Sequence, residues 1–203
     1  MPPESAETAS AVLVIASGNP GKIREFGQLL AHLNLQIEPM PVGLEIEETG
    51  NTFAANARLK AVAVAIATGQ WALADDSGLS VAALGGAPGV HSARYADSDS
   101  ARIARLLHEL QGATDRSAHF TAALAVANPA GEVVIEVEGH CPGLILEAPR
   151  GEGGFGYDPV FLVSEAGQTF AEMDKDLKGR LGHRGRALEL LLPQLAAQLP
   201  CKP

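Results

Sequence analysis

The hydrophobic positions at the start of the chain predict a strand, a turn and a helix. Residues 11–16 form a continuous, largely β-branched apolar run. Such a run is typical of a strand buried on both faces, so we expect this strand to be central in a sheet. After a glycine-rich turn, apolar residues at positions 23, 26, 29 and 30 recur at helical spacing.

The same periodicities predict the later elements. Alternating or continuous apolar residues indicate strands, and apolar residues three or four positions apart indicate helices. The predicted strands cover residues 35–40, 71–74, 118–127 and 132–138. The predicted helices cover residues 52–68, 101–110 and 185–199. Asn128–Gly131 joins the last two strands into a β-hairpin. Residues 101–110 indicate no chemistry, so we interpret that helix as structural.

Two adjacent acids follow the apolar run 71–74. Because successive strand side chains point to opposite faces, Asp75 and Asp76 should do different jobs. One should face a cleft, and the other should support the backbone or a metal. We expect the strand to end here and Ser77–Gly78 to turn the chain. The alternative for such an isolated motif is an acidic turn that caps backbone N–H groups.

Composition indicates a globular protein that binds neither membranes nor nucleic acid. Of 203 residues, 46% are hydrophobic, and no apolar run approaches the roughly eighteen residues of a membrane span. A formal net charge of −9 counts against a nucleic-acid binder, which needs a basic surface. Cys141 and Cys201 have no CxxC spacing, so we expect two inert thiols rather than a disulfide framework or a zinc site.

The length fits one domain over residues 11–203, preceded by a disordered tail over residues 1–10. The tail has no basic segment ahead of an apolar stretch, so we expect a cytoplasmic protein. The acidic balance also favours a small-molecule partner. An anion can still bind such a protein where a few cations converge.

The turn after the first strand has the features of a phosphate site. Between a strand and a helix, Ser17–Lys22 directs backbone N–H groups and the positive end of the helix dipole at one point. Ser17, Asn19 and Lys22 would add side-chain donors. The segment is not a Walker A loop, which needs GxxxxGK[ST]. The alternative is a capped helix start without a ligand.

An acidic segment and the next helix offer a metal ligand and a further cation. Glu47 and Glu48 lie in a glycine-bounded stretch, where a solvated loop is the commoner meaning. The helix 52–68 has Thr52 as its expected N-cap and Gly69 behind it. Asn56 and Lys60 share one face of this helix, so Lys60 can reach a phosphate unless it is a surface lysine.

Glycines and aromatic residues concentrate in residues 151–159 of a chain that is only 4% aromatic. Glycines let a backbone approach a ligand, and an exposed ring such as Phe155 can stack on a base. The alternative is a flexible loop anchored to the core by its aromatic residues. The basic turn at residues 175–184 requires an anion or carbonyl partner.

With these motifs located, residues 12–192 strongly resemble the inosine triphosphate pyrophosphatase family. The shared stretches are Ser17–Lys22, Glu47–Gly50, Asn56–Ala57 with Lys60–Ala61, Asp75–Leu79, Gly85–Val90, Gly153–Pro159 and His183–Gly185. The resemblance implies an α/β fold, with an elongated mixed sheet flanked by helices in two lobes. It implies a nucleotide in the cleft and a homodimer. The chain has Gly179 and Gly182 where the family often has Asn and Ser.

The resemblance also implies a reaction and a set of site residues. Water attacks the α-phosphorus of a noncanonical purine nucleoside triphosphate, and pyrophosphate leaves. Asp76 accepts the proton, and Mg²⁺ is held by Asp76 together with Glu47 or Glu48. The implied substrate-binding residues are Ser17, Gly18, Asn19, Pro20, Gly21, Lys22, Lys60, Ser77, Phe155, Gly156, Tyr157, Asp158, Lys178, His183 and Arg184. Asp75 and Asn56 support them.

Three other functions compete with this interpretation. Maf-type nucleotide pyrophosphatases share the fold but act on other bases, and the Asp75–Gly78 and Phe155–Asp158 motifs disfavour them. A nucleotide sensor would bind inosine triphosphate without turnover. An acidic structural domain would leave the glycine loops unexplained. Measuring pyrophosphate against orthophosphate released from a panel of triphosphates with Mg²⁺ separates all of them.

Overall fold

One seven-stranded mixed sheet organises the molecule. The computed structural model describes residues 11–33 and 35–199. The strands are β1 Val12–Ile15, β2 Gln36–Pro39, β3 Trp71–Val81, β4 Ser117–Ala127, β5 Val133–Ile145, β6 Phe161–Val163 and β7 Gln168–Thr169. Their order across the sheet is β2-β1-β3-β4-β5-β6-β7. β1 pairs in parallel with β2 and β3, and the later pairs are antiparallel. This confirms the α/β prediction, although β1 lies beside the edge strand and not at the centre.

Five α-helices lie in the described residues, besides three short 3-10 helices. The α-helices are α1 Pro20–Leu29, α2 Phe53–Thr68, α3 Asp99–Glu109, α4 Lys175–Leu181 and α5 His183–Gln198. The predicted cap of α2 is confirmed, because Thr52 Oγ1 accepts from the Ala55 N–H and Gly69 closes the helix with φ +65°. Over residues 11–33 and 35–199, every helix is too short or too polar to cross a bilayer. The predicted tail and Cys201 lie outside the described residues.

Asp75 and Asp76 lie in the middle of β3 and not at its end. The prediction that Ser77–Gly78 turns the chain is therefore wrong, because these residues continue the strand. β1 pairs with β3 only as far as Leu73, whereas β4 pairs with β3 up to Val81. The apolar run of β3 stops close to the point where its pairing with β1 stops. In the sequence, the two acids that follow therefore look like the end of the strand.

The two faces of the sheet pack against different helices. Small residues such as Ala74 and Ala123 let α2 lie close to one face. Leu73 and Leu124 face the opposite side, where α1 and α5 complete the cluster. A side chain at Gly139 of β5 would collide with the backbone of α5, so glycine there allows the close contact that fixes the start of α5.

The basic segment near the C-terminus is helical and not a turn. Asp174 caps α4 by accepting from the Leu177 N–H at 2.7 Å. Only Gly182 separates α4 from α5, and it caps α5 without a side-chain hydrogen bond. The prediction of a basic turn missed this helix because the glycine in Lys175–Leu181 interrupts the helical pattern.

Candidate active site

A cavity of about 590 Å³ lies beyond the end of β1, beside β3. Most of the residues selected from the sequence line it. These are Ser17, Gly18, Asn19, Pro20, Gly21, Lys22, Glu48, Lys60, Asp76, Ser77, Phe155, Gly156, Tyr157, Asp158, His183 and Arg184. Lys178 lines a neighbouring cavity of about 550 Å³ that also contacts Phe155. Asp75 and Asn56 are buried behind the first cavity, as expected of supporting residues.

Asp76 lies at the cavity wall with a lysine and an amide beside it. Its Oδ1 is 3.2 Å from Lys60 Nζ, and its Oδ2 accepts from Asn56 Nδ2 at 3.1 Å. Burial raises the pKa of Asp76, although the Lys60 charge opposes this effect. A carboxylate with a raised pKa is better matched to accepting a proton from water than an ordinary aspartate.

Asp75 lies on the other face of β3 in a different environment. Its Oδ2 is 2.7 Å from Lys22 Nζ and 3.4 Å from Arg184 Nε, and it accepts from Ser77 Oγ at 3.1 Å. Burial alone would raise the pKa of Asp75, but the charges of Lys22 and Arg184 outweigh it and hold that pKa well below its ordinary value. Asp75 is therefore an ionised structural anchor for two cations.

Of the two acidic candidates for a metal ligand, Glu48 lines the cavity. Its carboxylate is 2.7 Å from Lys60 Nζ and 3.2 Å from Arg94 Nη1. Burial acts to raise the pKa of Glu48, but the Lys60 and Arg94 charges lower it overall. Glu47 is exposed and is not among the residues that line the cavity.

The carboxylates that share Lys60 are suited to a hard divalent cation. Glu48 and Asp76 both contact this ammonium, so two oxygen ligands converge on one positive charge. Within the part of the chain that the structure describes, no group of three or more metal-ligating side chains exists. Mg²⁺ needs only one or two protein carboxylates when phosphates and waters complete its shell, so this donor set fits it.

The turn that precedes α1 is both a helix cap and a cavity wall. Asn19 Oδ1 accepts from the Gly21 N–H at 2.8 Å and the Lys22 N–H at 3.4 Å. Asn19 thus caps the helix through Oδ1, and its Nδ2 amide group stays the side-chain donor predicted for a phosphate. Ser17 Oγ likewise accepts from the Asn19 N–H at 3.1 Å. Lys22 remains the cationic group of this turn.

The two aromatic residues of the glycine-rich loop have different environments. Phe155 is partly exposed, and its ring centroid is 5.2 Å from Lys178 Nζ and 5.5 Å from Arg184 Cζ. Tyr157 is buried, and its hydroxyl donates to the Ser92 carbonyl at 2.9 Å. Phe155 is therefore available to stack on a planar ligand, and Tyr157 anchors the loop.

Buried Asp158 and partly buried Lys178 form an ion pair beside Phe155. Lys178 Nζ donates to Asp158 Oδ2 at 2.6 Å, and the Phe155 N–H donates to the same oxygen at 2.9 Å. Burial raises the pKa of Asp158 against the opposing charge of Lys178. The pair places an ammonium donor and a carboxylate acceptor next to the partly exposed ring.

Arg184 and His183, at the start of α5, are buried behind these groups. The guanidinium nitrogens of Arg184 reach Glu25 Oε2 at 2.8 Å, Ser77 Oγ at 2.7 Å and Asp75 Oδ2 at 3.4 Å. Arg184 therefore holds the network together as well as bordering the cavity. His183 stacks on Phe120 at 4.8 Å between ring centroids, and neither ring nitrogen has a hydrogen-bond partner among residues 11–33 and 35–199. Burial lowers the pKa of His183 well below its ordinary value, so the ring is neutral.

Sequence reasoning missed five charged residues around the site, one of which is Arg24 at the cavity wall. Glu25 and Arg94 pair with predicted site residues, and Asp99 and Arg102 of α3 line the cavity. The helix that carries Asp99 and Arg102 was interpreted as structural. The sequence does place an acid and a base three positions apart at the start of this helix. Such a pair usually indicates only local stabilisation of the helix.

Comparison with known proteins agrees with this geometry. The Ham1 family model matches residues 13–194. A dITP/XTP pyrophosphatase of Prochlorococcus marinus (strain MIT 9313) is 64% identical over 191 residues, which cover 94% of each chain. One from Parasynechococcus marenigrum (strain WH8102) is 62% identical over 191 residues, covering 94% of this chain and 98% of the relative. The solved HAM1 protein from Coxiella burnetii is 41% identical, with a TM-score of 0.83 over 92% of this chain and 99% of that chain. The chain therefore belongs to the Ham1 family.

Proposed function

We propose that this protein hydrolyses noncanonical purine nucleoside triphosphates, such as inosine, deoxyinosine and xanthosine triphosphate. The products are the monophosphate and pyrophosphate, so these nucleotides are kept out of nucleic acids. The observation that carries the proposal is the single cavity that Lys22, Lys60, Asp76 and Phe155 all line. The relatives named dITP/XTP pyrophosphatase support the same chemistry.

The triphosphate would be held by lysines that the free protein keeps neutralised. Lys22 is paired with Asp75, and Lys60 with Asp76 and Glu48. Phosphate oxygens would compete for these ammonium groups in a partly buried site, where charge pairs are stronger than in water. The lysines would fix the α-phosphorus in line with an attacking water and stabilise the negative charge of the pyrophosphate that leaves.

Asp76 would accept the proton of that water. It lies in the cavity wall, and burial raises the pKa of its carboxyl. Asn56 fixes Oδ2, which orients the carboxylate towards the cavity. The positive charge of Lys60 opposes the effect of burial on the pKa of Asp76.

A Mg²⁺ cofactor is part of the proposal. Glu48 and Asp76 would hold it, and Lys60 would then be released to the phosphates. When bound, the metal ion would lower the pKa of a coordinated water and neutralise phosphate charge.

The Lys178–Asp158 pair would read the edge of the purine. Hypoxanthine and xanthine present a carbonyl oxygen at position 6 and an N–H at position 1. These groups match the ammonium donor and the carboxylate acceptor of the pair. Adenine reverses both groups, with an amino donor at position 6 and an acceptor nitrogen at position 1. Guanine shares the hypoxanthine edge, so its exclusion requires a contact at position 2.

The test is to incubate the purified chain with Mg²⁺ and a panel of triphosphates while both pyrophosphate and orthophosphate are quantified. We expect one pyrophosphate per inosine triphosphate consumed, little orthophosphate and much slower turnover of adenosine triphosphate. Tight binding of inosine triphosphate without turnover would favour a sensor instead. The proposed homodimer is tested on the same preparation by light scattering.

A further inference from the structure

We propose that Asp99 is a positioning residue for purine recognition, because its carboxylate holds the peptide that follows the stacking ring Phe155. The inference deepens the proposed function and rests on it. Asp99 is the first residue of α3, and it reaches across to the glycine-rich loop. Its Oδ2 accepts a hydrogen bond from the Gly156 N–H at 2.7 Å.

The backbone on both sides of the Phe155 side chain is bound by a carboxylate. The N–H of Phe155 donates to Asp158 Oδ2 at 2.9 Å, and the N–H of the next residue donates to Asp99. One carboxylate belongs to the loop itself, and the other comes from α3, which is distant in sequence. Because two consecutive peptide groups are bound to separate elements, the direction of the Phe155 side chain is fixed relative to α3.

The loop conformation depends on these two contacts. Gly154 and Gly156 have φ of +78° and +64°, a region that favours glycine. A side chain at Gly154 would collide with the Asp158 carboxylate, so glycine is required for that contact. A loop with a glycine on each side of Phe155 has many alternative conformations. Each contact with a carboxylate reduces their number.

Asp99 is itself held in place. Its Oδ1 is 2.6 Å from Arg102 Nη1, and Arg102 Nε donates to the Ala96 carbonyl at 3.0 Å. Ser98 caps the helix by accepting from the Ala101 N–H at 3.2 Å. The carboxylate is therefore part of a well-anchored helix start, which makes it a suitable support for the glycine-rich loop.

The position of the ring matters because the base-reading pair lies beside it. Lys178 Nζ is 5.2 Å from the centroid of the Phe155 ring. A purine stacked on a displaced ring would present its edge to this group at the wrong distance, which weakens binding of the base. Asp99 should therefore affect purine binding without touching the triphosphate.

The experiment compares Asp99→Ala with Asp97→Ala, a matched loss of one carboxylate at an exposed position two residues away. We expect Asp99→Ala to raise KM for inosine triphosphate about tenfold, as for the loss of one charge-assisted hydrogen bond, while kcat changes much less. Calorimetry should show a similar loss of affinity for inosine monophosphate. Inhibition by inorganic tripolyphosphate, which has no base, should be unchanged. Asp97→Ala should match the wild type in all three measurements.

A double-mutant cycle separates positioning from general structural damage. In the Phe155→Ala background, Asp99→Ala should have little further effect, because the ring that it positions is gone. Asp99→Asn retains an acceptor for the Gly156 N–H and should recover part of the affinity. If Asp99→Ala is unfolded, Asp99→Asn takes its place in the cycle. Equal losses for tripolyphosphate and inosine monophosphate, or additive effects of Asp99 and Phe155, would overturn the proposal. A wild-type protein that releases no pyrophosphate would instead overturn the proposed function.

Discussion

Asp75 and Asp76 are neighbours in sequence, yet they lie on opposite faces of β3, each beside its own lysine. Asp75 Oδ2 is 2.7 Å from Lys22 Nζ, and Asp76 Oδ1 is 3.2 Å from Lys60 Nζ. Asp75 is fully enclosed behind the cavity, whereas Asp76 borders it. The same isosteric substitution should therefore damage stability at one position and turnover at the other.

Asp76→Asn should nearly abolish turnover while the fold survives. The substitution keeps the shape of the side chain and removes its charge and basicity. Loss of a general base alone typically costs about 10²–10⁴-fold in rate. The measurement is steady-state pyrophosphate release at saturating Mg²⁺, with circular dichroism to confirm the fold. If the variant keeps more than about a tenth of the wild-type rate, Asp76 is not the general base.

Asp75→Asn should unfold far more easily than the wild type. The change leaves buried Arg184 and partly buried Lys22 without their shared carboxylate. Removing one partner of a buried charge pair costs about 3–5 kcal/mol. Urea denaturation of Asp75→Asn and Asp76→Asn gives the comparison. If both variants unfold at the same urea concentration, Asp75 is not the structural member of the pair.

Glu48→Gln and Glu47→Gln should differ in their requirement for Mg²⁺. Glu48 lines the cavity and shares Lys60 with Asp76, whereas Glu47 is exposed. Glu48→Gln should raise the Mg²⁺ concentration for half-maximal rate at least about tenfold, a loss seen even for groups that only support a ligand. Glu47→Gln serves as the neighbouring control. Unchanged Mg²⁺ dependence in both variants would remove this acidic segment from the metal site.

The strands and helices near the site followed from local patterns, which is why they could be predicted. The apolar run of β1, the Thr52 cap of α2 and the hairpin of β4 and β5 each depend on residues that are close in sequence. The length of β3 does not depend on residues that are close in sequence. It continues past Asp76 because β4 supplies hydrogen bonds after β1 has ended, and this partner is distant in the chain.

The individual site residues could be selected from motifs, but their pairing could not. Lys60, Lys178 and Arg184 all appear in the sequence as cations available for a ligand. Each is bound to a carboxylate in the structure, and these carboxylates come from separate elements. The contact of Asp99 with Gly156 could not be predicted from local spacing, because it spans 57 positions.

His183 should make stability depend on pH near neutrality. Burial lowers the pKa of the folded His183, whereas an unfolded histidine binds a proton near pH 6.5. The unfolded state therefore binds more protons below about pH 6.5, and stability should fall as pH falls, by up to about 1.4 kcal/mol per unit. Urea unfolding at several pH values between about 7 and 5 measures the slope. His183→Gln should flatten it, and the exposed control His108→Gln should not. An unaltered slope in His183→Gln would contradict the assignment.

The last prediction concerns Lys178 and the choice of base. Lys178→Met should lower kcat/KM for inosine triphosphate far more than for adenosine triphosphate, because only hypoxanthine has an acceptor oxygen at position 6 for the ammonium. Sites that hydrogen-bond a substrate group can discriminate by about 10⁴–10⁵-fold, so the ratio between the two substrates should fall by orders of magnitude. Phe155→Ala should weaken both substrates similarly, since stacking contributes about 1–3 kcal/mol with any base.

Lys175→Met is the matched control for this prediction. Lys175 is exposed at the start of the same helix, three residues before Lys178, and it makes no ion pair within the described residues. Removing its charge changes the net charge of α4 by the same amount, so a general electrostatic effect on anionic substrates would appear in both variants. A base-reading role predicts a compressed ratio in Lys178→Met alone. If both variants lose activity equally towards the two triphosphates, Lys178 acts only as a positive charge, and the purine must be read by other groups.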